Sequence, residues 1–182
     1  VIRQIDVRTM LARALPSVQP DLVTRPTGRA VRTSIESELA ALTGRTVVVL
    51  DFTDVRIIDC SCADEIVAQL VADSLAVEAA RDAFFLIRGL TDDQLDDIDE
   101  VLRRRDLALV AETSGRIRLI GAVAEETQVA FERLAERGGA APEELAADLA
   151  WPLEAVQGTL AELTGRRLVL REAEHYRPLS AA

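Results

Sequence analysis

VVVLDFTDVRIIDCSCADEIVAQL, residues 47–70, decides how the rest of the chain is read. Residues 46–50 are four β-branched side chains followed by Leu50, and an apolar run of that kind suits a strand covered on both faces. It is expected at the centre of a sheet. After Asp51, Phe52, Thr53 and Asp54 a second apolar run, residues 55–58, stops at Asp59. From Ala63 onward Ile66, Val67, Leu70 and Val71 recur at helical spacing, so a helix is expected to begin near Ser61.

Two readings of Ser61 stand side by side. In one it is the helix N-cap, its hydroxyl accepting from a free backbone N–H, with Asp64 three residues later in the capping-box position. In the other, a hydroxyl at the positive end of a helix is a phosphorylation site, because the free N–H groups and the helix dipole favour an anion there. A phosphate would add about −1.5 to −2 charges next to Asp59, Asp64 and Glu65, and would repel as well as bind.

Outward from this stretch, residues 2–7 alternate weakly and suit an edge strand, and residues 16–26 read as irregular. Residues 28–42 place Val31, Ile35, Leu39 and Leu42 on one helical face before Gly44. Residues 83–88 form another apolar strand. Thr91 then caps a helix with Asp92 and Asp93 in its first turn and Arg103, Arg104 and Arg105 in its last, both ends matching the helix dipole. Its acids read as a solvated face, and no metal is expected. Strand-like residues 107–111 and 116–120 follow. Strands alternating with helices predict an α/β unit with a mixed or largely parallel sheet over residues 1–115.

From residue 121 the pattern changes to helices. Residues 122–137 put Val123, Ala130, Phe131 and Leu134 on one stripe and close at Gly138 and Gly139. Pro142 opens a short second helix, and Pro152 opens a third that carries Leu153, Val156, Leu160 and Leu163 and ends at Gly165. Residues 168–171 and 175–177 make two short strands around Glu172, Ala173 and Glu174. Three helices and a hairpin predict a winged helix over residues 121–182. Residues 113–121 contain no long flexible linker.

Two resemblances follow from these residues. The strand, IIDCSC and the helix after it resemble the central motif of STAS domains, the fold of anti-sigma factor antagonists, and more closely a STAS-like branch whose helix starts Ala-Asp-Glu. The resemblance covers residues 5–113. The family motif is Asp-Ser-Ser/Thr-Gly, and its second hydroxyl is phosphorylated by a partner kinase. On this chain it implies Asp59 in the Asp place, Cys60 in that of the first Ser, and Ser61 as phosphoacceptor. Cys62 and Ala63 stand where Gly and its neighbour are expected. Residues 121–178 resemble winged helix-turn-helix domains of bacterial transcriptional regulators, most specifically in LAELTGRRLVLREAEHYRPL, residues 160–179. That likeness implies a third helix in the DNA major groove, with Glu154, Ala155, Gln157, Gly158 and Thr159 facing bases and residues 171–177 touching the backbone. Gln157 would pair with adenine and Thr159 with a base or phosphate.

Composition and charge bound these readings. The chain has 182 residues, 49% of them hydrophobic, ample for one core or two. No apolar run approaches the ~20 residues needed to span a bilayer, and no basic segment precedes an apolar stretch at the N-terminus, so a cytoplasmic protein with no membrane partner is expected. All 21 basic residues are Arg, which reads as a GC-rich bacterial genome. The net charge of −10 argues against general attraction to nucleic acid. Residues 116–182 carry 11 acids against 8 arginines, for −3, and within them Arg166, Arg167 and Arg171 cluster, with Arg177 close behind.

Cys60 and Cys62 read first as buried or half-buried thiols, with redox sensing as the rival. His175, Trp151 and Tyr176 read first as packing residues. No Gly-rich phosphate loop, nucleophile elbow or metal-ligand pair is present, so no cofactor and no enzyme are expected. The expected protein is a STAS-like signal-receiving domain coupled to a winged helix that binds duplex DNA, with an ATPase-type kinase or anti-sigma-like protein and a second copy of the chain as further partners. The rival is a protein-interaction module of a partner-switching system that binds no DNA.

Overall fold

The computed structural model describes residues 1–16, 21–76 and 82–181. In chain order its elements are β1 (Ile2–Asp6), α1 (Val7–Ala14), β2 (Asp21–Leu22), α2 (Arg25–Ala40), β3 (Thr46–Asp51), β4 (Ile57–Ile58), α3 (Cys60–Ala63), a π-helical turn (Asp64–Ala68), α4 (Gln69–Leu75), β5 (Ala83–Arg88), α5 (Asp92–Arg104), β6 (Ala108–Thr113), β7 (Arg116–Gly121), α6 (Glu125–Arg137), α7 (Pro142–Leu149), α8 (Leu153–Gly165), β8 (Val169–Glu172) and β9 (His175–Pro178). The fold is α/β. Its main sheet runs β1-β3-β5-β6-β7, with the first four strands parallel and β7 antiparallel to β6.

The unbroken apolar run of β3 has a direct physical origin. The strand lies between β1 and β5, and its alternate side chains enter two different cores. Val48 and Leu50 join Phe85, Ile87 and the apolar faces of α1, α2, α5 and the helix after Asp59. Val47 and Val49 join Phe84, Leu86, Val110 and Leu119, and this second core is closed by Phe131, Leu134, Leu145, Val156, Leu160, Leu163 and Tyr176 from the C-terminal elements. The helices after residue 121 therefore cover the second face of the sheet. β7 also carries the sheet past residue 115, where the first unit was expected to end. It pairs with β6 from Arg116 to Gly121 through a two-residue turn, Ser114 and Gly115, both at positive φ as such hairpins require.

Local chemistry sets the helix ends. α1 is an element the sequence reading left out: the Asp6 carboxylate accepts from Thr9 N–H at 3.0 Å and starts a helix directly after the edge strand. α2 starts at Arg25, inside the stretch expected to be irregular, and ends at Ala40, short of Leu42 and Gly44. Residues 17–20 of that stretch lie outside the described residues. Thr91 and Gln94 form the capping box of α5, and the Gln94 amide also donates to the carbonyls of Val55 and Arg56, pinning the loop after β3. Among the described residues, no helix is long and apolar enough to cross a membrane.

Candidate functional site

The start of α3 is organised by Asp59 and not by Ser61. Asp59 has extended backbone and is the N-cap, and its Oδ1 accepts from Cys62 N–H at 2.7 Å. Ser61 is two positions inside the helix, half-buried, and its Oγ donates to the same carboxylate at 2.8 Å. The N-cap reading of Ser61 is thus corrected: the two oxygens of Asp59 accept from Cys62 N–H, the Ser61 hydroxyl and Thr24 N–H at once, and Asp59 already holds that place. Its Oδ2 accepts from Thr24 N–H at 3.0 Å, and its own N–H donates to the Leu22 carbonyl at 2.9 Å. Asp59 therefore ties the parallel pair β2–β4 and the entry to α2 onto the helix start. Burial alone would raise its carboxyl, but the N–H groups of Thr24 and Cys62 and the Ser61 hydroxyl hold it below the usual aspartate range.

The close approach that a glycine after Ser61 would have permitted comes from the opposite helix. Gly28 of α2 faces Cys62, and a Cβ on it would stand 2.9 Å from Cys62 Cα. Cys62 is buried, its Sγ donating to the Thr24 carbonyl at 3.1 Å. Burial, followed by the nearby Asp59 charge, pushes this thiol up to about 12, so it is not a thiolate at neutral pH. Cys60, by contrast, is exposed.

Asp64 and Glu65 open the π-helical turn, a local widening that recurs at functional sites. They are gripped by four arginines from two other helices. Arg25 of α2 reaches Asp64 at 2.9 Å and Glu65 at 3.0 Å, and Arg105, just past α5, reaches Asp64 at 2.6 Å. Arg29 and Arg32 lie 3.6 and 3.4 Å from Glu65, which is only 8% exposed. Burial works against ionising Asp64, but hydrogen bonds from Arg105 and Arg25 outweigh it and depress its carboxyl. Of the expected acid cluster, Asp64 and Glu65 are therefore neutralised from outside while Asp59 is held by neutral N–H and O–H donors, with Ser61 one helical turn before the Arg25 contacts. The four arginines carried no local signal in the sequence, since only tertiary packing brings residues 25–32 and 105 to residues 64–65.

The C-terminal candidates divide into two sets. On α8, Gln157 and Gly158 are exposed beside Glu154 and Ala155, and Thr159 is half-buried with its hydroxyl turned back to the Ala155 carbonyl at 3.1 Å. Arg171 and Arg177 are on the β8–β9 hairpin, about half exposed, near Glu174 at 3.2 Å and Glu172 at 3.8 Å. Arg166 and Arg167 point the other way, into the junction with the sheet. Arg166 donates to the carbonyls of Ala122 at 2.7 Å and Asp106 at 3.1 Å. Arg167 donates to Asp82 at 2.7 Å and stacks on Phe84, its guanidinium carbon 5.3 Å from the ring centre. Arg45 approaches the same ring at 5.9 Å, pairs with Asp82 at 3.1 Å and donates to the Arg171 carbonyl at 3.1 Å. Among the described residues, no group of three or more His, Cys, Asp or Glu side chains could hold a metal ion.

No protein-family model matches the chain, and no curated protein matches it closely enough to count as a relative.

Proposed function

We propose that this chain is a bacterial regulatory protein in which a STAS-like α/β half receives a signal around Ser61 and a winged-helix half passes it on by binding another protein. The input is phosphorylation of the Ser61 hydroxyl by an ATPase-type kinase. The observation that carries the choice of output is the exposed face of α8: Glu154, Gln157 and Glu162 stand there with small residues, and α8 contains no basic residue. Duplex DNA demands cations at that face, because phosphate neutralisation supplies most of the affinity. Arg166 and Arg167, the densest basic pair of this half, are engaged with the sheet instead.

A second reading, transcriptional regulation by direct contact with duplex DNA, is favoured by the exposed Arg171 and Arg177 on the hairpin and by Gln157 on α8. A catalytic role for Cys62 has less support, given its buried and raised thiol. Retention of the purified protein on mixed duplex DNA across a salt series separates the first two readings. No retention even at about 50 mM salt supports the protein-binding output; retention with a steep salt slope, abolished by Arg171→Ala with Arg177→Ala, overturns it in favour of DNA. Arg166 and Arg167 are left intact in this test, since their loss would disturb the junction.

A further inference from the structure

β7 ends the main sheet, and no described strand pairs with its outer side. The direction of its peptide groups follows from two contacts. Ala122 N–H points inward to the Leu107 carbonyl at 2.8 Å, whereas Gly121 N–H points outward to Asp99 at 2.6 Å. Peptide groups alternate along a strand, so Ile120, Arg118 and Arg116 face β6, and the N–H and C=O groups of Leu119 and Ile117 face outward. Two residues thus present the backbone pattern that an added strand reads.

Side chains select what that strand carries. Ile117 and Leu119 pack in the second core, which turns Arg116 and Arg118 to the opposite face. Neither Arg116 nor Arg118 enters an ion pair among the described residues, although nearly every other described arginine does. Both line a cleft of about 730 Å³ that follows the β6–β7 turn to α6, where the hydroxyl of Thr113 is buried without a hydrogen-bond partner. Of the acids on this cleft, Glu136 is held by Arg133, Glu132 accepts from Gln128, and Asp92 stands at its rim; Arg118 also lines a neighbouring cleft with Asp96, Glu125 and Asp99, the last of which holds Arg103 and the Gly121 N–H. None of these acids lies within ion-pair distance of Arg116 or Arg118, and two carboxylates at alternate positions of an extended segment on this edge would supply such partners. A second copy of β7 does not supply them: the antiparallel register that uses both outward residues pairs Ile117 with Leu119 of the other copy and sets Arg118 against Arg118, and like charges directly opposite are destabilising.

We propose that the free edge of β7 is a docking site for an extended, acidic segment of a partner protein, which adds to the sheet as a sixth strand and pairs its carboxylates with Arg116 and Arg118. The site is independent of the Ser61 reading and of the α8 output face.

The test uses the full chain and a labelled ten-residue peptide alternating Glu with Val, with a Lys-for-Glu peptide as control. Binding of the Glu peptide alone, with slowed amide exchange at Ile117 and Leu119, is the expected result. Arg116→Glu with Arg118→Glu should weaken it about tenfold, the scale of two exposed charge contacts turned repulsive. Native amide spectra of this variant would establish that it folds, and the milder Arg118→Gln should fall between. Equal binding of both peptides, unchanged exchange at Ile117 and Leu119, or concentration-dependent self-association protecting those amides would each overturn the proposal.

Discussion

Two arginine clusters link distant elements of this molecule, and they are built in opposite ways. At the start of the helix after Asp59, carboxylates are the buried members: Asp64 and Glu65 lie inside while Arg25, Arg29 and Arg105 reach them from the surface. At the junction of hairpin and sheet Arg166 and Arg167 are themselves half-buried and Arg45 is exposed, and several of their acceptors are backbone carbonyls, those of Asp106, Ala122 and Arg171. The first arrangement answers to charge, because a carboxylate or a neighbouring hydroxyl changes charge by protonation or modification. The second answers to geometry, because a guanidinium stays charged and its planar fork needs carbonyls in fixed places. On the proposed reading, a signal written as charge would be received at the first cluster, while the second keeps the hairpin in place.

The sharing of one core between sheet and C-terminal helices is the assumption beneath this comparison, and Phe131→Ala probes it hardest. Removing a fully buried ring from the second core should cost about 3–5 kcal/mol. Both halves should lose structure in one denaturant transition, followed by tryptophan fluorescence at Trp151 and by far-ultraviolet dichroism. Two separated transitions would break the comparison, since the junction would then be a contact between independent bodies.

Glu65→Ala comes next. Three arginines lose their shared partner, and their partial exposure reduces the cost to about 2–3 kcal/mol, less than for a fully buried pair. Amide exchange should speed up in α2 and the helix after Asp59 and leave the hairpin unchanged. Arg167→Ala should do the reverse at about 1–2 kcal/mol, through loss of the Asp82 contact and the stack on Phe84, with the hairpin loosened and Ser61 undisturbed. If either variant loosened both regions equally, the clusters would be one unit.

Acid titration sharpens the same contrast with the smallest effect. The carboxyls of Asp59 and Asp64 are depressed in the folded chain, so their stabilisation is fully present above the unfolded value of about 3.9 and is lost as pH falls through the folded values. Stability should therefore respond little to these groups between about pH 5 and 8 and fall below about pH 4. Asp82 is depressed as well: burial opposes its charge, and Arg45 and Arg167 override it. The carbonyl contacts of Arg166 do not titrate, so exchange at Ala122 should remain slow in acid after the Asp59 region has opened. Asp59→Asn should flatten the acid limb of the curve; an unchanged limb would remove Asp59 from this account.

How much was legible beforehand depends on the range of each interaction. The doubly covered strand at residues 46–50, the helix cap at Thr91 and the order of three helices and a hairpin rest on near neighbours in sequence, and each is present. A hydroxyl before an apolar helical pattern is a local signal that makes Ser61 a candidate cap as well as a candidate phosphoacceptor; Asp59, two residues earlier, holds the cap, and its carboxylate also reaches Thr24 across 35 residues. Arg166 and Arg167 looked like a free basic edge because their partners are 44 to 85 residues distant.

Most strands and helices were legible in the sequence, α1 and the start of α2 excepted, since hydrophobic period, capping side chains and turn residues act over a few positions. Tertiary structure alone decided which charges are free. Asp64, Glu65, Arg166 and Arg167 all look exposed in a linear reading, and each is neutralised or engaged by elements brought in from elsewhere in the chain. Arg116 and Arg118, unremarkable in sequence, are left without a counter-charge, because pairing depends on approach within a few ångströms and the sheet ends where they stand.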